Sequence, residues 1–296
     1  MIKGLGIPYM GSKRKLAFEI VNLIISKNPN CKYFHDLFGG GGAISFMALQ
    51  YPQIKQVVYN ELNTGVVELL KKIKSDGVTK DFFQWIDRET FQKHKNDNSW
   101  IGGLVKTCWS FGNNQKDYIF GKDIEDLKKD AHEYLLQNGY DGNATHRIAL
   151  IKQFKADKNI IGRFELQQLQ QLQQLQQLQQ LERLEQLQLL NLSYDQVQIN
   201  TPISETIIYL DPPYENTAKY QETICHRQLE QYIKNSPYKI YLSSYECPGG
   251  LYEAYQMKHR STLSAANNSK KIVEKLYCNQ PEDLKTQDLF SCGIAL

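Results

Sequence analysis

The 296-residue chain has no Cys-x-x-Cys pair; its six cysteines stand singly at positions 31, 108, 225, 247, 278 and 292. That scatter excludes a zinc ribbon and a disulfide framework and fits reduced thiols. Cys225 and His226 are adjacent rather than ligand-spaced, so no metal site is expected. There is also no apolar run long enough to cross a bilayer and no signal segment. The expectation is a soluble protein of the cytoplasm with no membrane partner. Strong charge of one sign is missing too. The formal net charge is only +3, so any nucleic-acid surface has to come from local basic clusters. Two nucleotide loops are absent as well. Gly6-x4-Gly11-Ser12-Lys13 does not have the Gly-Lys-Ser/Thr order of a phosphate loop, and no strand has room before it.

What the chain does contain centres on Asp211-Pro212-Pro213-Tyr214. These residues follow Thr206-Ile207-Ile208-Tyr209-Leu210, an apolar, β-branched run that reads as a buried strand. Two prolines cannot continue a ladder, because each lacks an N–H and holds φ near −65°. The chain therefore leaves the sheet at Asp211, at the carboxyl end where open α/β sheets bind ligands. A carboxylate, stiff carbonyls and an aromatic face suit a planar amine. A turn in which Asp211 caps and Tyr214 packs fits the same four residues.

A second constellation lies nearer the start. Tyr33-Phe34-His35-Asp36 reads as a short strand running into Leu37-Phe38-Gly39-Gly40-Gly41-Gly42 and a helix from about Ala43. Ile44 and Ser45 stand where a dinucleotide loop has its third glycine, which disfavours a pyrophosphate. The next strand, Gln56–Tyr59, ends at Asn60-Glu61, placing an acid about 20 residues beyond the glycines, where it can take ribose hydroxyls. A glycine loop without phosphate spacing, joined to a ribose acid, points to S-adenosylmethionine. Its sulfonium also suits the acidic strand ends Asp36, Glu61 and Asp211.

Elsewhere the pattern is less regular. A helix is expected from a Ser12 cap, with Leu16, Ile20, Leu23 and Ile24 on one face, and another over Val66–Lys74. Trp100–Lys122 mixes aromatics, asparagines, lysines and glycines, as in a hairpin or loop that inserts between bases or, equally, a structural loop. From Leu166 to Leu187 leucine recurs at every third position. A three-residue period slips about 60° per repeat on an α-helix, so no single face stays apolar. A partly docked surface helix is expected there, with a partner-binding arm over 165–190 as the alternative. Strands are expected at Leu189–Tyr194 and Lys239–Tyr245, a helix around 226–234, and a strand near the sheet edge at Lys271–Cys278. The alternation means α/β.

Taken together, these residues resemble the Dam-type adenine-N6 DNA methyltransferases of the D12 class, especially compact phage and prophage versions. The matching pieces occur in order: Tyr9, Gly11 and Lys13; Asp36, Phe38, Gly40 and Gly42; Glu61; Trp109-Ser-Phe-Gly-Asn-Asn114; and Asp211–Tyr214. Tyr9 for tryptophan and Glu61 for aspartate are mild departures, and the leucine ladder departs from the founding members. The resemblance implies a seven-stranded mixed methyltransferase sheet of Rossmann-like type, formed by 1–74 and 186–296, with a target-recognition insert over 75–185. It implies catalysis by Asp211, Pro212, Pro213 and Tyr214, and S-adenosylmethionine contacts at Tyr9, Lys13, Asp36, Phe38, Gly40, Gly42, Glu61, Leu62, Tyr194 and Asp211. Double-stranded DNA is the implied substrate, with Arg14, Asn113, Asn114, Lys116 and Lys219 as its contacts. Cys247-Pro248 reverses the Pro-Cys order of a cytosine-C5 nucleophile. Cytosine-N4 DNA, RNA adenine and protein glutamine methylation, and a non-catalytic scaffold, are the rival readings.

Overall fold

The computed structural model describes residues 1–213, 225–245, 250–260 and 271–281. They divide into two compact units, Met1–Ile199 and a second beginning at Asn200. Among the described residues there are seven strands, in a mixed α/β sheet as expected. Tyr214 and Lys219 lie outside the described residues.

The first unit opens with a strap, residues 4–12, and then α1 (Ala17–Lys27), which buries Ile20, Val21, Leu23, Ile24 and Ile25. The apolar face is the expected one, but the helix starts five residues later than Ser12. Its N-cap is Leu16, with no side-chain cap. The cause lies in the strap: Ile7 N–H donates to the Gly41 carbonyl at 2.8 Å and Ser12 N–H to the Tyr9 carbonyl at 3.3 Å. Backbone spent on those contacts cannot belong to a helix. Next come β1 (Tyr33–Asp36), α2 (Ala43–Ala48), β2 (Gln56–Asn60) and α3 (Thr64–Asp76). Their boundaries follow the sequence pattern closely.

A helical excursion follows: α4 (Arg88–His94), α5 (Trp100–Cys108), α6 (Glu125–Gln137), α7 (Ala144–Asp157) and α8 (Gln167–Leu178). Trp100–Lys122 is therefore a helix for its first nine residues rather than a hairpin or loop throughout. Its glycines serve packing. A Cβ on Gly103 would sit 2.0 Å from the Gly65 carbonyl oxygen, so only glycine lets α5 approach α3 this closely.

The leucine ladder is buried. Leu166, Leu169, Leu172, Leu175, Leu178 and Leu181 are all 8% exposed or less. The expectation of a partly docked surface helix is corrected for a geometric reason. Four leucines slipping about 60° per repeat sweep roughly 180° of α8, and neighbours cover that arc from more than one side. Arg14 from the strap end and Arg147 from α7 both donate to its glutamines, Gln174 and Gln173. The chain then enters β3 (Leu187–Leu190), shorter and earlier than the expected Leu189–Tyr194. β1, β2 and β3 are parallel, with Asp36 opposite Tyr59 and Asn60 opposite Leu190. Their carboxyl ends thus share one edge.

In the second unit β4 (Thr206–Leu210) is buried at every residue and parallel to β5 (Lys239–Ser244), with α9 (His226–Asn235) between them in sequence. β6 (Tyr252–Arg260) and β7 (Lys271–Cys278) form an antiparallel pair, and β7 also pairs with β5. β7 thus lies one strand in from the edge, near it as expected, with β6 outermost among the described strands. A register shift between Glu253 and Tyr255 breaks the alternation that would have announced β6.

Candidate functional site

Three loops leave the shared carboxyl edge of the first unit: 37–42, 61–63 and 191–194. One buried side chain joins them. Asn60, 1% exposed, donates from Nδ2 to the carbonyls of Leu37 (3.1 Å) and Leu192 (2.9 Å), and its Oδ1 accepts from Leu192 N–H (3.0 Å). Asn191 repeats the device, donating to the carbonyls of Glu61 (2.8 Å) and Leu62 (2.9 Å) and accepting from Thr64 Oγ1 (2.8 Å). Because Asn191 turns back in this way, β3 stops at Leu190. Neither asparagine was singled out from the sequence, where each is simply a polar residue after an apolar run.

The glycine loop lies against Tyr59. A Cβ on Gly39 would stand 2.2 Å from the Tyr59 ring, so this position admits no side chain. Tyr59 is fully buried, and its hydroxyl donates to the Gly40 carbonyl at 2.7 Å. Burial above all, then the proximity of Glu61, Tyr9 and Asp36, raises its phenol well above the ordinary value. It therefore stays a neutral donor at any working pH. Gly40 adopts a positive φ of 48° with the Tyr9 ring over it, 3.4 Å from where a Cβ would be.

Glu61 binds the loop from the other side. Its Oε2 accepts the Gly40 N–H at 2.8 Å and its Oε1 the Asn63 N–H at 2.9 Å. Burial raises its pKa, while hydrogen bonds from Asn63, Gly40, Leu62 and the Tyr9 side chain oppose the rise. A carboxylate has about four acceptor sites, so incoming hydroxyls must displace one of these donors. The Tyr9 hydroxyl is the one that can rotate away without moving backbone. Asp36, 1% exposed at the end of β1, accepts from Ser45 Oγ at 2.8 Å. Phe38 and Tyr194 form a tilted pair, centroids 5.2 Å apart, both partly accessible. Leu62 is 48% exposed on the same rim. The structure thus brings together Tyr9, Asp36, Phe38, Gly40, Gly42, Glu61, Leu62 and Tyr194. Lys13 lies just before α1, its carbonyl accepting from Leu16 and Ala17 N–H at 2.8 Å each.

This edge fits an adenosine carrying a cation. It has a side-chain-free loop for close approach, two carboxylates, and exposed aromatic and aliphatic faces. Among the described residues no cluster of His, Cys, Asp and Glu could hold a metal ion. No described helix is long and apolar enough to cross a membrane.

The residues read as DNA contacts divide. Arg14 is half-buried and bonded to Gln174. Asn113, with φ 57°, donates to the Thr107 carbonyl at 2.7 Å. Asn114 Oδ1 accepts from Lys116 and Asp117 N–H at 2.9 and 3.0 Å. Both asparagines therefore build the turn after α5. Lys116 is exposed on it, and so is Phe111, at 65%. The turn is tied to the strand-end edge where Asn63 Nδ2 donates to Gln115 Oε1 at 2.9 Å.

In the second unit, Asp211 and Pro213 are partly accessible and Pro212 is buried. They follow directly on β4, whose Tyr209 hydroxyl shares a 2.7 Å hydrogen bond with Ser243 of β5. That bond between neighbouring buried strands stiffens the base of the corner.

A family model described as D12 class N6 adenine-specific DNA methyltransferase matches residues 9–279. A comparison with curated proteins found no match.

Proposed function

Because the chain belongs to the D12 class of N6 adenine-specific DNA methyltransferases, an S-adenosylmethionine-dependent family, we propose how its residues divide the work. The strand-end edge of the first unit holds the cofactor. Glu61 takes the ribose hydroxyls in exchange for the Tyr9 hydroxyl. Phe38, Leu62 and Tyr194 cover the adenine, and Asp36 and Glu61 supply negative potential for the sulfonium. When bound, the cofactor supplies an electrophilic methyl group.

Asp211 and the Pro212 carbonyl accept the two hydrogens of the target amine. The N6 lone pair is delocalised into the purine ring, so the free amine is a poor nucleophile. Two acceptors at its hydrogens localise electron density on nitrogen for in-line attack on the methyl carbon. Asp211 would also take the extra proton of the amine as it gains the methyl group and pass it to solvent. The base must leave the duplex first, at a cost of a few kcal/mol. Stacking on Tyr214, assigned from the motif alone, returns roughly 1–3 kcal/mol. The observation that carries this reading is the corner itself, a carboxylate followed by two prolines where a fully buried parallel strand ends.

In this reading residues 75–185 include the target-recognition region. The rigid turn at 110–117 presents Phe111 to the bases and Lys116 to phosphates, while Asn113 and Asn114 act by shaping it. The cytoplasm of a bacterial or phage-infected cell is the working location.

The test uses duplex DNA and labelled S-adenosylmethionine, with nucleoside analysis of the product. Wild-type protein yields N6-methyladenine. Asp211→Ala lowers transfer by about 10²–10³-fold or more and leaves calorimetric cofactor binding nearly unchanged. Normal methylation by Asp211→Ala would refute the assignment.

A further inference from the structure

Helix α7 is inverted relative to an ordinary surface helix. It buries Arg147 together with Leu150 and Phe154, while Ile148 is 63% exposed. The Arg147 guanidinium is satisfied by Gln173 of α8, so the inward cation is accommodated. The outward isoleucine is not. Ile148, Ile151, Lys152 and Lys155 fall at i, i+3, i+4 and i+7, one stripe of the helix. Opposite that stripe the segment after α7 turns back through Asn159 and Gly162, both with positive φ. Between the two walls lies an open groove of about 700 Å³. Phe164 forms part of its floor, held by Phe154 at 6.0 Å and capped by Lys128 Nζ at 3.8 Å from the ring centroid. Ile161 stands on its lip, 98% exposed.

Large aliphatic side chains left in water beside a preformed groove mark an interaction surface. We propose that this groove docks an amphipathic helical segment of a protein partner, with apolar residues along one stripe and acidic residues beside it. The leucine ladder does not serve this purpose, because its leucines from 166 to 181 are already buried. The groove has the anatomy of a helix-binding cleft, an apolar floor with a basic rim at Lys152 and Lys155.

Charge decides against nucleic acid. Arg163 pairs with Glu165 at 2.9 Å and Lys155 spends one of its three donors on the Gly162 carbonyl, so among the described lining residues Lys152 and Lys155 keep uncompensated charge. A phosphate backbone needs several free cations and wastes the isoleucines. An acidic amphipathic helix needs one or two cations and uses the isoleucines.

The test is fluorescence anisotropy on the full-length protein with a labelled synthetic helix-forming peptide, leucines at i, i+3, i+4 and i+7 and glutamates alongside. Saturable binding with a Kd of about 10–100 μM is expected. A shuffled peptide of identical composition should bind about tenfold or more weakly, as should the wild-type peptide to Lys152→Glu or Ile161→Ser protein. Both positions are exposed, so the fold tolerates the changes. Any of four results overturns the proposal: no saturation, equal binding of the shuffled peptide, unchanged binding by both variants, or displacement of the peptide by duplex DNA. Sedimentation showing a wild-type dimer that Ile148→Asp converts to monomer also overturns it, assigning the groove to a second copy.

Discussion

Replacing Gly39 by alanine tests whether the glycine loop proposed to hold the cofactor is set by contact or by backbone conformation. The added Cβ would lie 2.2 Å from the Tyr59 ring, and ordinary contact begins at 3.4 Å, so a gap of about 1.2 Å must open. Tyr59 cannot supply it, being fully buried with its hydroxyl bound to Gly40. The loop must therefore move. A shift of that size carries Gly40 N–H from 2.8 Å to nearly 4 Å from Glu61 Oε2, beyond hydrogen-bonding range. Overpacking costs about 1–3 kcal/mol, and a lost bond to a charged acceptor about 1.5–3 kcal/mol. With partial relaxation the total is about 2–5 kcal/mol. Gly139→Ala is the matched control. Gly139 has φ 75° but open space around it, so alanine there meets only backbone strain, about 1–2 kcal/mol. Urea denaturation of the two variants compares the effects, and calorimetry follows S-adenosylmethionine. Gly39→Ala should be the less stable and bind cofactor at least ~10-fold more weakly. If it is no less stable than Gly139→Ala, Tyr59 does not wall the loop and the reasoning fails.

Cofactor affinity should fall on acidification at a pH above the ordinary glutamate range of about 4.3, because burial raises the Glu61 pKa and protonation turns one of its acceptor oxygens into a donor and weakens the other. Calorimetry from pH 8 downwards should show this for wild type and a weak, flat profile for Glu61→Gln. Tyr9→Phe keeps the ring over Gly40 and removes the hydroxyl that competes for Glu61, so affinity should stay within about threefold or tighten; Tyr9→Ala should lose about tenfold or more. A marked loss in Tyr9→Phe would show that the hydroxyl itself binds cofactor. Leu172→Ala, at a fully buried ladder position, should cost about 2–5 kcal/mol in urea denaturation. Gln177→Ala, on an exposed position of the same helix, should change stability by less than ~0.5 kcal/mol. Equal small effects would return the ladder to the surface.

Much of the chain was legible because its signals are local. Thr206–Leu210 is apolar and β-branched without interruption, so it forms a strand in any buried setting, and Pro212-Pro213 ends it by covalent geometry. The step from Asp36 into four glycines, and from Val57-Val58-Tyr59 into Asn60-Glu61, likewise follows from residue type at fixed spacing. Helices α3 and α9 carry their own periodicity.

Tertiary structure alone decided the rest. An asparagine after a strand is ambiguous in sequence; Asn60 becomes the clasp of three loops because β1 and β3 end on either side of β2. The ladder's three-residue period says only that its leucines rotate around the helix. Whether they meet water depends on what surrounds α8, and arginines 14 and 147, more than 100 residues apart in the chain, anchor two of its glutamines. Ser12 had the chemistry of a helix cap, yet the strap's bonds to Gly41 and within its own turn delayed the helix. Periodicity and turn chemistry act between residues a few positions apart, and so can be read along the chain. A side chain's burial and the partner of its polar atoms depend on distant segments, and only the folded molecule brings those together.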